Sequence, residues 1–72
     1  MNKIYIRDDF IKLGQALKLA NLAQSGADAK NMILDGMVKV NGNVVLQRGK
    51  KLIKGDVVSC EKEEFVIESK NI

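Results

Sequence analysis

The sequence predicts an α+β domain: two helices packed on a small, twisted antiparallel sheet. Three observations carry that prediction. Leu13, Ala16, Leu17 and Ala20 recur at i, i+3, i+4 and i+7, which is one face of a helix. Ser25 stands three residues before Asp28 and ahead of the apolar stripe Ala29, Met32 and Ile33, the start signature of a second helix. After Gly36 the apolar period drops to two, with Val38 and Val40 flanking Lys39 before the hairpin dipeptide Asn41-Gly42.

Taken in order, "KIYI" followed by "RDD" reads as a short edge strand that ends in a polar turn. The first helix is expected from about Lys12 to Asn21. In the second, Asp28, Asn31 and Asp35 share the solvated face, and Gly36 is placed to stop the helix in a left-handed conformation. Lys30 sits on the flank, about 100° round from Ala29 at the helical step, away from those aspartates. A strict two-residue turn at Asn41-Gly42 would set Lys39 opposite Val44, so a longer or bulged turn including Asn43 is expected, with a return strand through Val44, Val45 and Leu46. "QRGKK" follows as a glycine-containing basic loop. Gly55-Asp56 marks another turn, and "VVSCE" and "EFVIE" read as two further strands joined through "KEE".

Seventy-two residues suit a single domain spanning 1–72, because a chain of this size buries only about 60% of its unfolded surface. The hydrophobic fraction of 46% excludes the composition of disordered chains. With no run of apolar residues long enough for a membrane helix and no signal-like apolar segment in "MNKIYIRDDF", a cytoplasmic protein is expected, with no membrane partner. One cysteine and no histidine leave no set of zinc or iron ligands, and Cys60 in "DVVSCE" reads as a strand residue rather than a reactive thiol.

The charge is unevenly placed. Residues 30–54 hold six Lys/Arg against one Asp, whereas residues 55–72 hold two against five. A local positive field of this kind attracts polyanions, which an evenly mixed surface does not. The cations concerned are Lys30, Lys39, Arg48, Lys50 and Lys51. Several cations spaced along one edge suit a phosphate backbone, since each neutralised phosphate releases condensed counterions. On composition alone, a solvated hairpin kept charged for solubility fits equally well.

Catalysis finds little support. Nucleophile and base combinations are missing, no phosphate-loop glycine pattern occurs, and Glu61, Glu63, Glu64 and Glu68 read as one solvated strand face. No cofactor or small-molecule substrate is expected. Tyr5, Phe10 and Phe65 are the only aromatics, none lies in the basic stretch, and all three are assigned to the core. Recognition of RNA shape and backbone is therefore expected over stacking of splayed bases.

At "SGADAKNMILDGMVKVNG" the chain resembles the RNA-binding domain first named from small-subunit ribosomal protein S-four, the alpha-L RNA-binding motif. The matching residues are Ser25, Ala29-Lys30, Met32-Ile33, the run from Gly36 to Gly42, and Gly55-Asp56-Val57, within a core of about 12–59. The short stand-alone bacterial members are the most similar. The resemblance implies a non-catalytic module for structured RNA of the ribosomal or transfer class, with the ribosome as a partner. It implies contacts from Lys30, Lys39, Asn41, Arg48, Lys50 and Lys51, joined by Lys12 at the start of the first helix. Many members open their helices with Arg-Leu-Asp and Ser-Arg; here Lys12-Leu13-Gly14 and Ser25-Gly26 stand instead, removing one bidentate phosphate contact. The alternative reading is a protein-interaction module whose basic edge docks an acidic partner.

Overall fold

The computed structural model describes residues 2–70. The expected domain span of 1–72 thus includes Met1, Asn71 and Ile72, which lie outside the described residues. Among the described residues the chain runs β1 (Asn2–Ile6), β2 (Ile11–Lys12), α1 (Leu13–Leu19), α2 (Gly26–Leu34), β3 (Val38–Val40), β4 (Asn43–Val44), β5 (Lys51–Leu52), β6 (Val57–Cys60) and β7 (Glu63–Ser69). Five strands form one sheet in the order β1-β7-β6-β3-β4, and β2 and β5 form a separate ladder. This is the expected α+β class.

Both helices end as their local chemistry dictates. The Asp28 N–H donates to Ser25 Oγ at 3.1 Å, and Asp28 Oδ2 accepts from the Gln24 N–H at 3.2 Å, so the return bond of the capping box falls one residue before the cap. Gly36 stops α2 at φ +77°, where its N–H and that of Met37 reach the carbonyls of Ile33 and Met32. α1 is shorter than the expected stretch because Asn21 turns left-handed at φ 61°.

Helices and sheet share one core. Leu13, Leu17 and Ile33 meet Val38, Val58, Phe65 and Ile67, all fully buried. Val38 and Val40 point into that core, which turns Lys39 to the opposite face of β3.

Four details differ from the sequence reading. The sheet is mixed: β1 runs parallel to β7, pairing Asn2 with Phe65 and Ile6 with Ser69, while every other pair is antiparallel. Alternation within a strand carries no information on its partner's direction, and the chain between β1 and β7 is ample for a crossover.

The first hairpin turn is the tight two-residue form, with Lys39 opposite Val44 and Val40 opposite Asn43. Asn43 belongs to the strand, and the return strand stops at Val44. Val44 can share a face with Lys39 because it stays 51% exposed, and an apolar side chain on the surface is commonplace. The second hairpin turns at Glu61-Lys62 rather than through "KEE", since Cys60 faces Glu63. Finally, Phe65 is buried as expected, but Tyr5 and Phe10 are 57% and 38% exposed. Tyr5 alternates with the inward-facing Ile4 and Ile6 on an edge strand, so nothing covers it.

Candidate nucleic-acid interface

The basic loop is anchored by a helix that lacks its own cap. Lys12 precedes α1 without a side-chain cap bond, leaving the first amides of the helix in need of acceptors. The loop supplies them: the Leu13 N–H donates to the Lys50 carbonyl at 2.9 Å, and the Gly14 N–H donates to the Arg48 carbonyl at 3.0 Å. The loop therefore lies close over α1. A first side-chain carbon at Gly14 would stand 3.6 Å from Arg48 Cβ and from the Arg48 carbonyl oxygen. That is ordinary contact, and a carboxylate side chain as in many family members would have to grow past the loop.

The β2–β5 ladder sets Lys12 opposite Lys51. Like charges directly opposite each other destabilise a ladder, so this placement costs stability. Part of the cost is offset where Lys51 Nζ sits 4.7 Å from the centroid of the Phe10 ring, a cation–π contact worth about 0.5–1 kcal/mol at an exposed site.

Arg48 joins the cations into one surface. It lines a hollow of about 290 Å³ together with Lys12, Lys18 and the backbone of Gly26 and Gly49. It also lines a second hollow of about 210 Å³ with Lys30, Leu34 and Leu46. Neither lining contains a carboxylate. The sequence reading had named Lys12, Lys30 and Arg48, and the structure brings these three together. It missed Lys18 and Gln15, although their i, i+3 spacing opposite the Leu13/Ala16/Leu17 stripe marks the exposed face of α1.

Lys39 and Asn41 fall outside this group. Lys39 faces away from the core side of β3 and lines neither hollow around Arg48. The Asn41 side chain is committed within the chain: its Nδ2 donates to Asp56 Oδ1 at 3.0 Å and its Oδ1 accepts from the Val57 N–H at 2.9 Å. Asp56 Oδ2 in turn accepts from the Ile53 N–H at 2.9 Å. Asn41 thus clasps the hairpin to the segment after β5.

Cys60 is buried in β6, and burial, reinforced by the charge of Glu61, pushes its thiol up from the ordinary value of 9.0. A thiol held protonated is a poor nucleophile. Among the described residues there is no cluster of three or more metal-ligating side chains, and no helix is long and apolar enough to cross a membrane.

Two helices on a five-stranded sheet, with a crease lined by lysine and arginine, define a class: a small α+β domain whose surface chemistry suits a polyanion. The chain belongs to the S4-domain family, whose model matches residues 4–68. That match takes in β1 and β7 as well as the stretch of about 12–59 marked by the motif. The chain is 47% identical over 60 residues to the "Probable ribosome maturation protein RlbA" of Bacillus subtilis, covering 83% of this chain and 84% of that one. It is 41% identical over 49 residues to the "Putative RNA-binding protein YbcJ" of Escherichia coli, covering 68% and 70%.

Proposed function

We propose that the domain is a non-catalytic RNA-binding module that grips structured RNA, of the ribosomal or transfer class, through the cations around Arg48. The carrying observation is that Arg48 lines two hollows at once, with Lys12 and Lys18 on one side and Lys30 on the other, and no acid in either lining. Lys50 and Lys51 extend the same edge along the loop and β5. Lys39 serves as an outlying contact on the far side of the hairpin, and Asn41 holds the hairpin in place. The names of the two relatives, one for ribosome maturation and one for RNA binding, support this reading, in which the protein works on RNA in the cytoplasm, at the ribosome.

Rigidity explains why the cations sit on an anchored loop rather than a tail. Each lysine or arginine held in place before binding loses less entropy when it meets a rigid phosphate array. The cost of setting Lys12 against Lys51 is recovered when a polyanion arrives.

A salt titration of binding to a structured RNA, with duplex DNA as competitor, tests the reading. The logarithmic slope is expected to be roughly −3 to −4, from about four or five phosphate contacts at about 0.7–0.9 each. The double variant Lys30→Glu/Arg48→Glu, checked for folding by circular dichroism, is expected to lose binding. Unchanged binding in a folded variant sinks the proposal and leaves an acidic protein partner as the better reading. Gly26→Arg supplies the converse test, since nothing lies within 4 Å of a Cβ built there and the position faces the crease. It is expected to tighten binding and steepen the slope by about one.

A further inference from the structure

The exposed aromatics that the sequence reading had assigned to the core have their own surface. Tyr5, Phe10 and Leu19 line a hollow of about 450 Å³, within the range of about 300–1,000 Å³ typical of small-ligand sites. Arg7 and Lys18 supply cations to it and Asp8 a carboxylate. Gln15 and Lys18 line this hollow and also the one that holds Lys12 and Arg48. The two are therefore neighbours across the exposed face of α1. Phe10 reinforces the join, because its ring carries the ammonium of Lys51 from the adjoining β5.

We propose that this hollow receives one unpaired nucleobase of the RNA held along the crease, stacked on Tyr5 and Phe10 with its flanking phosphate on Lys18 or Arg7. The proposal rests on the RNA reading and adds to it: the crease reads backbone, and the hollow requires a strand that is locally unpaired. Three features favour a base over other occupants. Planar aromatic faces beside cations match the stacking platforms of single-stranded nucleic-acid sites. A carboxylate in the lining repels a bare phosphate but accepts from the N–H groups on a base edge. The adjacency of the crease puts the cations Lys12, Lys18 and Arg48 next to the backbone that leads to the base.

Tyr5 is the only tyrosine and the chain has no tryptophan, so tyrosine fluorescence reports on this hollow directly. The test compares two RNA hairpins of identical stem, one fully paired and one with a single bulged 2-aminopurine. Binding of the bulged hairpin is expected to quench both Tyr5 and the 2-aminopurine. Tyr5→Ala is expected to weaken it about 5- to 100-fold, in line with stacking losses measured on other single-strand sites, with little change for the paired hairpin. Tyr5→Phe should restore the affinity. Arg48→Glu separates the two claims, because it is expected to weaken both hairpins alike. If Arg48→Glu weakens both while Tyr5→Ala changes neither, or both equally, the base site is wrong and the RNA reading survives. If neither hairpin binds, both fall.

Discussion

Two tight turns in the same sheet solve the same backbone problem in opposite ways. Asn41 and Glu61 each open a two-residue hairpin turn with positive φ, 52° and 57°, a region most side chains avoid at a cost of about 1–2 kcal/mol. Asn41 suits the position, since its short amide tolerates it and bonds onward to Asp56 and Val57. Glu61 has neither advantage. The pinned turn belongs to the hairpin beside the basic segment, and the strained one lies at the acidic end of the sheet. The hydrogen-bonded turn thus lies next to the basic segment, and the strained one among the acidic residues.

The largest expected effect comes from cutting the clasp. Asp56→Ala removes an acceptor used by both the Asn41 amide and the Ile53 N–H, and two exposed bonds of this kind contribute about 1–1.5 kcal/mol each. A loss of about 2–3 kcal/mol in urea unfolding is expected, together with weaker RNA binding. Asn41→Gly isolates the clasp from the backbone, because glycine keeps the positive φ at no cost. It is expected to lose about 1–1.5 kcal/mol. A neutral result at both positions would erase the contrast between the turns.

Glu61→Gly probes the other side and should stabilise the fold by up to about 1 kcal/mol, with RNA binding unchanged. The smallest effect is a pH dependence confined to the same turn. The folded Cys60 thiol titrates above its ordinary value of 9.0, so the unfolded chain gives up its proton first as pH rises. Stability from this source is complete below about 9 and is lost as pH climbs toward the folded value, whereas Cys60→Ala should flatten that decline. Glu61→Gly should shift it as well, since the neighbouring charge contributes to the rise.

What could be read from sequence was local. Ser25, Asp28 and Gly36 act within four residues of themselves, as does the backbone turn at Asn41-Gly42, and each does in the structure what its local chemistry implies. The site was half legible. Lys12 and Lys30 each share a hollow with Arg48, but what brings them there, loop carbonyls capping α1, joins residues far apart in sequence. Lys39 stands apart from that group because alternation turns it to the other side of the sheet. The role of Asn41 depended on Asp56, fifteen residues on, which no periodicity reveals. Tyr5 and Phe10 were assigned to the core by residue type, and only the edge position of β1 shows why Tyr5 stays outside.

The parallel pair of β1 and β7 has a consequence for the order of assembly. On a growing chain β1 is made first, yet its partner for Ile6 is Ser69, so the strand waits unpaired until almost the whole domain has been synthesised. Such distant pairings slow folding, because the intervening loop must close before any contact rewards it. Until β7 is made, the edge of β6 that it will cover is also bare. The nascent domain would keep its first strand free during much of translation and complete its sheet as one of its last acts.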